Sequence, residues 1–289
     1  MESVNFDRAA AYYDATRALP AGAMAAVTGL LAAELDDRQP CLEIGVGTGR
    51  IALPLRGRGI ELAGLDISGA MLRQLLENAA GDGYSARPAA SPSEVPVPVV
   101  PPPVLQADAT LLPFAARSFG AVLAVHVLHL IPDWRIAVDE AVRVLRPGGA
   151  LVASFPGYNR RAEPDAAAIG LTRDRRAPWT DVLREAARRH GVVRVPVGAR
   201  DPMTVAAYLS DRASARELDP VTVRASTTLR TTLDHIERQL FSWTWPYSAQ
   251  QAAAVAAEVR DWAVASNTPL DTTHESESTV RWWAFDLSS

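Results

Sequence analysis

The chain has 289 residues, 48% hydrophobic and 21% charged, a globular composition long enough for one large core or a core with a cap. Its net charge is −4 and all 29 basic residues are Arg, a balance that argues against DNA or RNA as partner because neutralising phosphates needs a positive face. The single cysteine, Cys41, excludes an internal disulfide, and no Cys/His grouping has zinc spacing, so no metal site is expected.

Residues 6–35 read as helices interrupted at Pro20 and Gly22. Pro40–Ile44 is a first strand, and Gly45, Gly47 and Gly49 follow at alternate positions, with Val46 between the first two. Glycine tolerates φ > 0 and lets the backbone approach a ligand closely. A strand, a glycine loop and a helix from about Arg50 open a nucleotide-binding βαβ unit. The spacing is G-x-G-x-G, not the dinucleotide G-x-G-x-x-G, and Glu43 stands where a carboxylate repels phosphate and welcomes an ammonium. Ile60–Asp66 is a second strand ending in an acid. Ser68 then caps a helix whose apolar face carries Met71, Leu72, Leu75 and Leu76. The proline-rich run 81–103 reads as an extended surface insertion. A short strand, Val104–Ala107, ends at Asp108. Phe119–His126 is the continuous apolar run of a central parallel strand. Arg135–Leu145 is a helix, Arg146-Pro-Gly-Gly149 a stop, and Ala150–Phe155 a fifth strand. Beyond Pro156, Trp179–His190, Asp201–Ala213, Thr231–Leu240 and Ser248–Ala265 read as helices, and Leu218–Ala225 and Thr279–Leu287 as strands. The alternation predicts a doubly wound α/β sheet.

In open α/β sheets ligands bind outside the carboxyl ends of the strands, at the topological switch. The glycine loop with Glu43, then Asp66, Asp108 and His126, all fall at predicted strand ends, so they point into one crevice. Each also has a plain reading. Asp66 and Asp108 serve equally as turn or helix caps, Tyr12 and Tyr13 as core aromatics, and His126 as a hydrogen-bonded core residue. His126 and His129 are three apart, with no third ligand near them.

Five stretches carry a resemblance: Phe6-Asp-Arg-Ala-Ala-Ala-Tyr-Tyr-Asp14; Leu42-Glu-Ile-Gly-Val-Gly-Thr-Gly-Arg50; Gly64-Leu-Asp-Ile-Ser-Gly-Ala-Met-Leu72; Ala107-Asp-Ala-Thr-Leu-Leu-Pro-Phe114; and Glu140-Ala-Val-Arg-Val-Leu-Arg-Pro-Gly-Gly149. Together they resemble the class I S-adenosylmethionine (SAM) dependent methyltransferases, in the group that includes the ubiquinone and menaquinone biosynthesis enzymes and many small-molecule methyltransferases. The resemblance implies a Rossmann-like sheet of seven strands in the order 3-2-1-4-5-7-6, the last antiparallel, and SAM as cofactor. It gives Gly45, Val46, Gly47 and Gly49 the amino-acid arm and ribose edge, and Glu43 the loop or the amine. Asp66 takes the ribose hydroxyls, Ile67 and Met71 the adenine face, and Asp108 with Ala109 the adenine amino group. His126 borders the methionine end. Tyr13 and Arg17 lie in a segment that folds over SAM, with Arg17 in reach of its carboxylate.

The function expected is in-line methyl transfer from SAM to a small organic acceptor, dominated by positioning and exclusion of water. Any base comes from His126, His129 or the C-terminal half. The alternatives are a non-catalytic SAM-binding protein and, from another class, a nicotinamide-dependent oxidoreductase. Residues 1–155 are the expected cofactor-binding core. Residues 156–289 complete the sheet, with helical insertions after strands 5 and 6 (156–200 and 230–275) forming a cap, all in one structural domain. Trp179, Phe241, Trp243 and Trp245 either line an acceptor pocket or pack the cap. Arg173, Arg175 and Arg176 either steer an anionic acceptor or form a solvated face. The N-terminus lacks signal-peptide features and Phe119–Ile131 is too short to span a bilayer, so a soluble cytoplasmic protein with neither nucleic-acid nor membrane partner is expected.

Overall fold

The computed structural model describes residues 3–81, 100–155, 177–191 and 197–288. Most of the proline-rich run, and Arg173, Arg175 and Arg176, lie outside the described residues.

A 3-10 turn over Asp7–Tyr12 leads into helix α1 (Tyr13–Arg17), followed by α2 (Ala21–Leu35), β1 (Cys41–Ile44) and α3 (Ala52–Arg56). Next come β2 (Leu62–Asp66), α4 (Gly69–Ala80), β3 (Val104–Gln106), β4 (Phe119–Val125), α5 (Trp134–Val144) and β5 (Leu145–Ser154). The second half runs α6 (Thr180–Arg189), α7 (Pro202–Tyr208), β6 (Ala213–Glu217), β7 (Val221–Thr227), α8 (Leu229–Glu237), α9 (Ala249–Ala265), β8 (His274–Val280) and β9 (Trp282–Leu287).

The main sheet has the order β3-β2-β1-β4-β5-β9-β6. Pairing is parallel from β3 through β5, and β9 runs antiparallel to both β5 and β6. This is the predicted seven-stranded order, with β6 as the sixth strand and β9 as the seventh. The sixth strand is displaced from its expected place. It lies at Ala213–Glu217, between the helix read as Asp201–Ala213 and the strand read as Leu218–Ala225, and α7 stops at Tyr208. The stretch expected to form it becomes β7, which pairs with β8 in a separate two-stranded sheet. The insertion after the sixth strand is therefore helices plus a ribbon, not helices alone. β6 is an edge strand of the sequence Ala-Ser-Ala-Arg-Glu, mostly exposed, so it has no buried face to write an apolar alternation. Its Arg216 is fixed instead by Glu34 of α2 and Asp286 of β9, at 2.5 and 2.7 Å.

Alternation along the strands divides the core into two layers. Leu42, Ile44, Val122, Ala124, Leu151 and Ala153 face α5, whose Ala137, Val138, Ala141 and Val144 are fully buried. Cys41, Ala121, Leu123, Ala150, Val152 and Ala284 face the side closed by Val27 and Leu31 of α2, Leu53 and Leu55 of α3, and Leu75 of α4. Leu76, expected on the apolar face of α4, is 45% exposed.

By internal contacts the chain forms two compact units. The first comprises Met1–Tyr158, Pro196–Val221 and Val280–Ser289 and holds the main sheet. The second comprises Asn159–Val195 and Thr222–Thr279. Its core gathers Trp179, Ala186, Leu229, Leu233, Ile236, Val255 and Val259 from α6, α8, α9 and the chain before α6. Ser248 and Gln251 form a complete capping box at the start of α9. Arg260 meets Glu237 with two hydrogen bonds, at 2.8 and 2.7 Å. Among the described residues no single helix is long and apolar enough to cross a membrane.

Candidate functional site

The loop after β1 is built around three glycines in the left-handed region, Gly45 (φ 69°), Gly47 (φ 57°) and Gly49 (φ 82°). A Cβ at Gly45 would sit 2.5 Å from Val127 Cγ2, and one at Gly49 would sit 2.9 Å from Leu53 and Leu75. Those two glycines are thus required twice over, by dihedral and by close packing. Gly47 has more room, its nearest neighbour being Met71 Cε at 3.5 Å. Val46 is buried in the core and donates its N–H to Leu65 at 2.9 Å, which ties the loop to β2.

Asp66, the last residue of β2, is locked to that loop. Its Oδ2 accepts from the Gly47 N–H at 2.9 Å and its Oδ1 from the Ser68 N–H at 2.8 Å. Burial raises its pKa above the ordinary aspartate value, and these two amides and the Ile67 N–H pull the other way. Ser68 caps α4 as predicted, accepting from the Met71 N–H at 3.1 Å. Met71 is buried, and the Ile67 carbonyl accepts from Gln106 at 3.1 Å.

Glu43 is 2% exposed and its Oε2 has no hydrogen-bond partner among the described residues. Burial pushes its pKa up to about 8, against the pull of Arg50, with Asp66 adding to the rise. His126 is half-buried at the end of β4 with φ 50°, a strained backbone for a non-glycine residue. Its N–H is held by the Ser154 carbonyl at 3.1 Å. Burial, then the nearby Arg50, pull its pKa down to about 4, so the ring is neutral at pH 7.

The other expected residues divide. Tyr13 stacks edge-on with Phe6 at 5.9 Å, and burial lowers the pKa of Arg17, whose carbonyl accepts from Arg50 at 2.6 Å. Asp108 is exposed, and its Oδ1 caps the following turn through the Thr110 N–H and hydroxyl at 2.8 and 2.9 Å. Ala109 is buried in the core layer that faces α5. His129 lies in a 3-10 turn, Leu128–Leu130, and its carbonyl accepts from Gly198 at 3.2 Å. In the second unit Trp179 is buried in the core, Phe241 stacks on Trp243 at 6.1 Å, and Trp245 donates to the Gln239 carbonyl at 3.0 Å.

The sequence reading missed a set of short polar residues that tie the N-terminal segment across the strand ends. Asp7 accepts from the Ser68 hydroxyl at 2.5 Å and the Ala70 N–H at 3.2 Å. Asp14 accepts from Thr48 at 2.6 Å and Asn78 at 2.8 Å. Val4 donates to Leu130 at 3.1 Å. Thr48, a polar residue inside an otherwise apolar and glycine loop, was the one available signal.

Residues 42–153 match the family model described as a methyltransferase domain. The chain is similar to the demethylmenaquinone methyltransferase of Desulfitobacterium hafniense, 30% identical over 128 residues, which is 41% of this chain and 45% of that protein. It is also similar to the demethylmenaquinone methyltransferase of Thermus thermophilus, 33% identical over 133 residues, 45% of this chain and 50% of that protein. The chain thus spans about half the length of the curated relatives it matches. Among solved structures, the YcgJ protein of Bacillus subtilis shares the fold with a TM-score of 0.51 at 16% identity, covering 92% of this chain and all of that one. Over residues 42–153 the chain is thus similar to the methyltransferase-domain family, and the seven-stranded sheet built around them is Rossmann-like.

Proposed function

We propose that this protein is a SAM-dependent methyltransferase that moves a methyl group to a small organic acceptor by in-line displacement. The observation that carries the reading is the Gly47–Asp66 tie beside a buried, unpartnered Glu43. The donor and acceptor set fits SAM. Asp66 accepts from the Gly47 and Ser68 amides, with the Ile67 N–H also drawn to it, and a carboxylate has about four acceptor sites, so capacity remains for a ribose hydroxyl. Glu43 Oε2 has no hydrogen-bond partner among the described residues, and an ammonium beside it would favour its ionised form. Gly47 leaves its backbone open to close approach.

When bound, SAM supplies a methyl group on a sulfonium, activated for attack. The chain's own part is to hold and to exclude. Asp66 and the loop amides fix the ribose end, with Ile67, Met71, Asp108 and Ala109 at the adenine side. Glu43 meets the amino-acid arm. Tyr13 and Arg17 belong to the segment that Asp7 and Asp14 pin over the strand ends. His126 is neutral at pH 7 and, with a pKa near 4, a weak base. Its role in this reading is to border the reacting end, and methyl transfer is driven by positioning. In this reading neither a nucleic acid nor a membrane is a partner. A cytoplasmic location fits the lone, buried Cys41.

Calorimetric titration with SAM, S-adenosylhomocysteine and NADH tests this. Micromolar binding of both adenosyl ligands and none of NADH is expected. Binding of NADH alone would overturn the assignment. Tight SAM binding with no turnover over a broad acceptor panel would replace it with a non-catalytic SAM-binding role.

A further inference from the structure

Among the described residues, three buried polar side-chain atoms at the carboxyl end of the main sheet have no hydrogen-bond partner: Glu43 Oε2, Ser154 Oγ and Trp282 Nε1. Each residue is 2% exposed. They share one face of the sheet. Cys41, two before Glu43, and Ala150 and Val152, which alternate with Ser154, all belong to the layer that also contains Trp282. Glu43 lies opposite Leu123 of β4, and Val125, next on that face, lies opposite Ser154, which in turn lies opposite Trp282. A row therefore runs from the glycine loop across β4 and β5 to β9. The rest of that face is apolar there, with Leu123, Val125, Val152 and Ala284, and with Leu19 and Met24 in the same layer.

A buried polar atom left unpaired costs about 1–3 kcal/mol, and folded proteins rarely leave one so. Ser154 and Trp282 are directly opposed across an antiparallel pair, which places their Cβ atoms about 4.5–5.5 Å apart. Yet the hydroxyl and the indole N–H do not bond to each other. The indole only donates, and the hydroxyl donates or accepts. An oxygen set between them would accept from both. Ser154 also holds the His126 N–H with its carbonyl, so the pair adjoins the half-buried turn at the end of β4.

We propose that Ser154 and Trp282 form an oxygen-binding subsite for the methyl acceptor, which enters as an apolar molecule presenting a hydroxyl or carbonyl oxygen. This rests on the methyltransferase reading and names the chemistry of its second substrate. The two donors fix one oxygen of the acceptor at the carboxyl end of that face. Neither residue takes a proton in this role.

The full chain is titrated with 1-naphthol and with naphthalene, with and without saturating S-adenosylhomocysteine, whose own affinity is recorded first. The expected result is 1-naphthol binding about tenfold or more tighter than naphthalene. Ser154→Ala and Trp282→Phe should each reduce that preference to about twofold, with S-adenosylhomocysteine affinity unchanged. Ser154→Ala should melt no lower than the parent, because it deletes an unpaired buried hydroxyl. Equal affinities for the two probes, binding of neither, or a preference that survives both substitutions would overturn the subsite. A lowered melting temperature in Ser154→Ala with the preference intact would do so too, by assigning the hydroxyl to a trapped water. Failure of S-adenosylhomocysteine to bind counts against the methyltransferase reading, while the titrations run without it still report on the subsite.

Discussion

Asp66 joins two separate needs of the site. Its oxygens close the glycine loop through the Gly47 amide and open α4 through the Ser68 amide. It therefore shapes the crevice even before a ligand arrives. Asp66→Ala removes both ties and the proposed ribose acceptor, and SAM affinity should fall by about 1–3 kcal/mol in calorimetry. An unchanged affinity would take Asp66 out of the site. Asp66 and Asp108 were equally readable as caps from sequence. In the structure Asp108 caps a turn at the surface, whereas Asp66 is half-buried and tied to the loop, a difference made by what packs over each.

At the scale of elements, the N-terminal segment is held by side chains rather than by a ladder. Asp14 takes Thr48 from the glycine loop and Asn78 from α4, so one carboxylate bridges α1 to two elements of the βαβ unit. Asp14→Ala should lower the unfolding free energy by about 1–3 kcal/mol, read from the urea midpoint at unchanged slope. A shift under about 0.5 kcal/mol would show that the tie contributes nothing beyond surface polarity. The displacement of β6 belongs to this scale too. Its placement rests on pairing with β9 and on Arg216, contacts far away in sequence, and no local pattern announces them.

For the whole molecule, the buried Glu43 and the half-buried His126 titrate in opposite senses. Glu43 is raised from an ordinary value of 4.5 to about 8, so its contribution is complete below 4.5 and is lost as pH rises through 8. His126 is depressed from 6.5 to about 4, so its contribution is complete above 6.5 and is lost as pH falls through 4. Between 4.5 and 6.5 the two slopes oppose each other. Above 6.5 only Glu43 acts, and stability should decline by about 1.4 kcal/mol per pH unit up to pH 8. Thermal melts from pH 6 to 8.5 should show that decline, and Glu43→Gln should abolish it. A parallel decline in the variant would locate the effect elsewhere.

The doubly wound α/β class, the glycine loop, the acid at the end of β2 and the Ser68 cap were determined by the sequence alone, while the strand order came from the resemblance to a known family. Each is a local rule: left-handed backbone calls for glycine, a doubly covered strand is continuously apolar, and a helix start needs a short acceptor. Tertiary structure alone decided the rest. It placed the sixth strand at an exposed edge, recruited Asp7, Asp14 and Thr48, and left Ser154 and Trp282 side by side without partners. These depend on which distant residues meet, and a hydrogen bond across more than a hundred residues leaves no periodicity in the chain that makes it.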